Sequence, residues 1–147
     1  DKSLILIVQP IQEIQNDIID EFNFFEDWSE KYQYLIDLGK NLPEFDNELR
    51  LDSNLIRGCQ SKVWLSSSFN NNIVMFEADS DAIISKGIIS LLIRVFSGQN
   101  PEEILAAKID FIDKIGLNTH LSQTRANGLL AMIKQIKIYA LAYQSKK

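Results

Sequence analysis

The sequence predicts an α+β fold: a three-stranded antiparallel sheet with helices packed mainly on one face. Three observations carry that expectation. Apolar residues recur at three- and four-residue spacing at both ends of the chain, whereas Val63, Leu65, Ser67 and Phe69 alternate with Trp64, Ser66 and Ser68, a period of two, ahead of a second strand-like run from Ile73 to Ala78. The two runs are separated by a turn, so they pair antiparallel. The helical segments precede and follow the strands, which masses helices on one sheet face.

Taken in order, Ile11, Ile14, Ile18, Phe22 and Phe25 fall on one side of a helix that begins near Pro10. Asp27-Trp28-Ser29-Glu30 reads as a capping box opening a second helix, whose buried face is Trp28, Tyr32, Leu35 and Leu38. Gly39 is expected to end it, and Pro43 to prevent its resumption. Residues 43–53 lack a period and read as a polar connection. Asn54-Leu55-Ile56-Arg57 is the expected first strand, Val63 to Phe69 the second and Ile73 to Ala78 the third. Asn70-Asn71-Asn72 makes the turn, because asparagine tolerates the left-handed region.

Asp79-Ser80-Asp81 reads as a helix start capped by Asp79 or Ser80. The helix from Ile83 to Phe96 is apolar nearly all round, so it belongs in the middle of the domain. Asn100-Pro101-Glu102-Glu103 opens a short helix, and a second short one ends at Gly116. Ser122 opens the last helix, with Leu129, Met132, Ile133, Ile136, Ala140 and Tyr143 on one face.

At 147 residues the chain is expected to be a single domain, 1–147, with residues 1–9 a disordered or expression-derived extension. A net charge of −5 argues against a nucleic-acid surface, which needs a basic stripe. The most apolar segment, Ile83 to Phe96, is too short for a membrane span and contains Lys86 and Arg94. Leu4 to Val8 is too short for the apolar region of a signal peptide. One cysteine fits a reducing compartment, so a cytoplasmic location is expected. With one Cys and one His, the chain lacks the soft ligands of a cysteine-rich metal site. No phosphate loop or dinucleotide-binding glycine pattern occurs, and no cofactor is expected.

The chemistry concentrates at Arg57-Gly58-Cys59-Gln60-Ser61-Lys62. A thiol is nucleophilic only as thiolate, and with an ordinary pKa of about 8.5 only about 3% is ionised at pH 7. Arg57 and Lys62 bracket Cys59 with positive charge, and Gly58 allows a left-handed turn that aims amide N–H groups at an anion. These neighbours are expected to favour ionisation. The alternative is an inert buried cysteine, the commoner fate of a lone thiol. Cys59 and His120 together would instead suit a Cys–His thiol hydrolase or acyltransferase, although nothing marks an oxyanion hole.

Gly58-Cys59-Gln60-Ser61-Lys62-Val63-Trp64 resembles the signature of the SufE family, the sulfur-acceptor proteins of iron–sulfur cluster assembly. Trp28 to Gly39, Leu42-Pro43, Ala78 to Gly87, His120-Leu121-Ser122 and Arg125 to Leu129 resemble further family segments in family order. They span most of residues 25 to 143. The amino-terminal extension and the acidic 44–52 connection depart from the family.

The resemblance implies a SufE/NifU-like fold and a covalent sulfur carrier rather than an enzyme in its own right. Cys59 would accept persulfide sulfur from a PLP-dependent cysteine desulfurase of the SufS type, stimulate it, and pass sulfur to a scaffold complex of the SufBCD type. The paralogous CsdE-type acceptor stays open, as does an adaptor that activates its partner with Cys59 idle. PLP would belong to the partner. Arg57, Gly58, Gln60, Ser61, Lys62, Asp81, His120 and Arg125 are the implied loop and partner-contact residues, with Gly58 as hinge and Arg125 near the sulfur. No nucleic-acid or membrane partner is implied.

Overall fold

The computed structural model describes residues 9–146; most of the extension expected at the amino terminus lies outside that range. Helix α1 spans Ile11–Asn23, directly after Pro10, and buries Ile11, Ile14, Ile18 and Phe22. Helix α2, Trp28–Lys40, is capped as expected, with Asp27 Oδ1 accepting from the Glu30 N–H at 2.9 Å. Its periodicity puts Leu35 fully inside, a burial that contributes about 1.5–3 kcal/mol.

Gly39 does not end α2. It lies inside the helix, where it meets helix α3, Ile83–Phe96. A Cβ on Gly39 would sit 2.7 Å from the backbone nitrogen of Gly87, and one on Gly87 would sit 2.4 Å from the Leu35 carbonyl oxygen. The two glycines let α2 and α3 cross backbone against backbone, closer than any side chain permits. Helix α3 is covered by α1, α2, the sheet and the last helix, as its all-round apolar surface requires.

Among the described residues the sheet has two strands, not three. Strands β1, Val63–Asn70, and β2, Ile73–Ser80, pair antiparallel from Val63↔Ser80 to Asn70↔Ile73. Asn71 and Asn72 both have positive φ, 53° and 64°, the two-residue turn whose twist matches a hairpin. The segment expected as a first strand makes one bridge, Leu55↔Trp64, and one bond, Ile56 N–H to Val63 O at 2.9 Å. A 3-10 turn at Asp52–Asn54 delivers the chain too late, and Gly58 at φ 98° turns it away too soon, for a ladder to grow.

Val63, Leu65, Ser67 and Phe69 share the helix-covered face with Val74, Phe76, Ala78 and Ser80. The last helix, α6, Gln123–Gln144, stacks Tyr143 on Phe69 and hydrogen-bonds Ser67 Oγ at 2.7 Å. The other face is partly covered by the 43–53 connection, which is not merely polar. Phe45 is only 4% exposed, and Arg50 lies over Phe45 and Trp64 while pairing with Asp79 at 2.6 Å.

Asp79 therefore sits in β2 and is no helix cap. Lys86 reaches it as well, at 3.2 Å, and Ala82 precedes α3 without a side-chain cap. Burial works against the charge of Asp79. Hydrogen bonds from Arg50, the Ser80 N–H and Lys86 outweigh it and hold the carboxyl below its ordinary range. Helix α4, Pro101–Ala106, carries the expected cap, Asn100 Oδ1 accepting from Glu103 N–H at 2.8 Å. Helix α5, Phe111–Lys114, ends before Gly116, which is left-handed at φ 79°. Among the described residues no helix is long and apolar enough to cross a membrane.

Candidate functional site

Cys59 sits on a six-residue loop, Arg57 to Lys62, held firmly at both feet. On the amino side Ile56 is buried and bonded to Val63. On the carboxyl side Asp81 Oδ1 accepts from the Lys62 N–H at 3.0 Å. The Lys62 carbonyl accepts in turn from Asp81 N–H at 3.1 Å and Ser80 Oγ at 2.8 Å. Asp81 and Ser80, read in the sequence as candidate helix-start residues, are thus the anchor of the loop. Ser61 Oγ lies 3.2 Å from the buried Ser85 Oγ of α3 and fixes the middle.

The sulfur points into the protein, half-buried, with Sγ 3.6 Å from the carbonyl oxygen of Gly128 in α6. A carbonyl only accepts, so this contact suits the protonated thiol. Burial pushes the Cys59 pKa upward. The expected help from the flanking cations is absent. Arg57 is exposed and lines a separate depression with Leu55, Lys134 and Ile138, and Lys62 is exposed outside the cavity. Gly58, at φ 98°, turns the chain between Arg57 and the sulfur, and burial is the one effect that moves the thiol's pKa.

Beside the sulfur is a cavity of about 160 Å³. A water molecule's share of liquid volume is about 30 Å³, so there is room for an added atom and solvent. Gln60, Ser61, Ser85, Ser122, Thr124 and Arg125 supply polar walls; Ile88, Gly128 and Met132 supply the apolar floor. Ser122 caps α6 by accepting from Arg125 N–H at 3.2 Å, so the first turn of that helix borders the cavity. Its positive dipole end and the Arg125 guanidinium favour negative charge there. The site keeps a neutral thiol at rest beside a space suited to an anion.

Of the residues singled out in the sequence, Cys59, Gln60, Ser61 and Arg125 come together around this cavity. Gly58 and Asp81 shape the loop, while Arg57 and Lys62 face elsewhere. His120 is not brought to the sulfur. Its ring stacks on Trp28 with centroids 3.9 Å apart, its Nδ1 lies 2.9 Å from Gly116 O, and its own carbonyl accepts from the Tyr32 hydroxyl. Gly116 O can only accept, so Nδ1 carries the proton. Trp28 and Tyr32 thus hold the entry to α6, and the hydrolase arrangement has no base at the cavity.

Ser85, Thr124 and Gly128 escaped the sequence reading. Ser85 had a signal, being one of the few polar positions in a mostly apolar helix. Gly128 had another, as a glycine inside a helical pattern usually marks a close approach. Among the described residues no cluster of three or more His, Cys, Asp or Glu could hold a metal.

A family model described as SufE, Fe-S metabolism associated domain, matches residues 16–140. An uncharacterized SufE-like protein of Rhizobium meliloti (strain 1021) is 43% identical over 127 residues, covering 82% of this chain and 89% of that protein. The SufE-like protein 1, chloroplastic/mitochondrial, of Arabidopsis thaliana is 36% identical over 143 residues, which is 95% of this chain but only 38% of the plant protein. Among solved structures, the solution structure of a hypothetical protein from Thermus thermophilus superimposes with a TM-score of 0.74. It covers 90% of this chain and 96% of its own; at 17% identity the likeness is one of fold.

Proposed function

The chain belongs to the SufE family of Fe-S metabolism, and from that premise we propose that Cys59 is a covalent acceptor of persulfide sulfur supplied by a PLP-dependent cysteine desulfurase. The observation that carries the reading is the position of Sγ, directed from a pinned loop into an anion-suited cavity with room beyond it. A purely structural cysteine would fill its surroundings and leave no such space.

In the transfer, Cys59 first loses its proton to solvent or to the partner. The thiolate attacks the terminal sulfur of the donor persulfide, a new S–S bond forms at Cys59, and the donor S–S bond breaks. The donor cysteine leaves as thiolate with the bonding pair. The exchange consumes no oxidant or reductant, following the logic of thiol–disulfide exchange. The resulting persulfide occupies the cavity, its charge favoured by Arg125 and the first turn of α6, and shielded from outside thiols. Delivery reverses the step onto an acceptor of an iron–sulfur scaffold complex.

Because the thiol is held neutral and inward, loading requires the loop to swing out, with Gly58 as the hinge between the bonded Ile56 and the sulfur. The desulfurase is then stimulated because a ready acceptor clears its persulfide. A cytoplasmic location accompanies this reading, since a reducing compartment keeps Cys59 a free thiol ready to accept sulfur.

The test is turnover of the desulfurase on free cysteine with wild-type protein and with Cys59→Ser. Loss of stimulation in the variant, at unchanged binding to the desulfurase, is expected. Full stimulation by Cys59→Ser would overturn the carrier role and favour an adaptor.

A further inference from the structure

At the junction of α1 and α2, away from the residues of the Cys59 cavity, a chain of aromatic rings leads from the core to solvent. Phe22 is fully buried and meets Tyr34 edge-on at 5.2 Å; Tyr34 packs on Phe25 at 5.0 Å; Phe25 meets Phe24 edge-on at 5.4 Å. Phe24, at the outer end, is 81% exposed. Tyr34 is fixed a second time, donating to Glu21 Oε1 at 2.5 Å, and Glu21 is clamped by Arg94 at 2.5 and 2.7 Å.

Two adjoining clefts, of about 450 and 230 Å³, share Phe25 and Tyr34 as a common wall. Their other lining residues include Asp20 and Phe24 in the first, and Glu30 and Asp37 in the second. Neither lining contains a cationic side chain. Glu21 is neutralised by Arg94. Among the described residues Asp20, Glu30 and Asp37 have no ion-pair partner.

A fixed, solvent-facing aromatic surface rimmed by unpaired carboxylates is complementary to one chemistry: apolar anchors interleaved with cations. We propose that this cleft docks a basic, amphipathic peptide segment of a partner protein. Its apolar side chains would lie on Phe24, Phe25 and Tyr34, and its Lys or Arg heads would reach Asp20, Glu30 and Asp37. The rings are already ordered by their ladder, so little freedom is lost when the segment binds. The surface shares no lining residue with the Cys59 cavity, so a partner held here leaves the sulfur accessible, and the proposal stands apart from the sulfur-transfer reading.

The test is NMR titration of ¹⁵N-labelled protein with an end-blocked hexapeptide of alternating leucine and arginine. Saturable shifts confined to residues 20–26 and 30–37 are expected, weakening with added salt. Phe24→Ser is expected to weaken binding by roughly tenfold, the equivalent of about 1.4 kcal/mol. The double reversal Asp20→Lys with Asp37→Lys is expected to abolish it. Phe24 is exposed and outside the sulfur site, so Phe24→Ser should fold and load Cys59 as wild type does. Absence of binding, shifts centred elsewhere, equal binding of the glutamate counterpart, or unchanged affinity in Phe24→Ser would each overturn the proposal. So would binding of spermidine as tight as that of the peptide, which would make the cleft a small-cation site.

Discussion

Cys59 Sγ and the carbonyl oxygen of Gly128 face one another across 3.6 Å, joining the reactive loop to the second turn of α6. Residue 128 leaves room for the contact by having no side chain. A Cβ there would already lie 3.5 Å from the sulfur.

Alanine at 128 meets the sulfur at ordinary contact distance, so Gly128→Ala should retain the loop. It should also gain about 0.5–1 kcal/mol from its better helix propensity. Gly128→Val adds methyls that compete with Cys59 for space. It should lose about 1–3 kcal/mol and expose the thiol. Urea unfolding together with the rate of iodoacetamide alkylation checks both.

The same burial governs thiol chemistry. Desolvation disfavours the thiolate, so the folded pKa lies above that of the unfolded chain. Alkylation of Cys59 should therefore be slower in the native protein than in urea at pH 7, and its rate should inflect at a higher pH. A native inflection at or below the denatured one would contradict burial as the controlling effect at the sulfur.

At the α2–α3 crossing the clash is with backbone, which cannot rotate away. Gly87→Ala would bring a Cβ to 2.4 Å from Leu35 O and should cost about 3 kcal/mol or more, in contrast to the mild Gly128→Ala. A thermal unfolding comparison of the two variants decides it.

These glycines also mark where sequence reasoning stopped. Helix periodicity, the caps at Asp27, Asn100 and Ser122, and the turn at Asn71-Asn72 are local features, encoded within a few neighbouring residues. Cys59 was legible because its setting, Gly before and polar residues after, breaks the apolar pattern. Gly39, by contrast, looks like a helix stop until α3 is seen against it. Asp79 looks like a cap, and Asp81 like part of a helix start, because acids before an apolar run usually are; their partners Arg50, Lys86 and the Lys62 backbone come from elsewhere in the chain. The apparent first strand had strand-like residues but no room between a 3-10 turn and Gly58 for a ladder. Charge near Cys59 in sequence was likewise no guide to field at the sulfur, since one turn of backbone sent Arg57 to another surface.

Asp79 gives a pH signature. Its folded pKa is depressed, so the stability it contributes is present above the unfolded carboxyl pKa and is lost as pH falls through the folded one. Asp79→Asn should therefore be less stable than wild type at pH 7, by about 1.5–3 kcal/mol for loss of hydrogen bonds to charged groups. The gap should close below the ordinary carboxyl value of 3.8. Urea titrations of both proteins between pH 7 and pH 3 measure it; a constant gap would mean that Arg50 and Lys86 do not depend on that charge.

The central claim is that Cys59 carries sulfur, and intact-protein mass spectrometry reads it directly. After incubation with a cysteine desulfurase and free cysteine, the protein should gain one sulfur, about 32 Da, located at Cys59 and removed by reductant. No gain in mass under conditions where the desulfurase turns over, or a gain that persists in Cys59→Ser, would contradict the account.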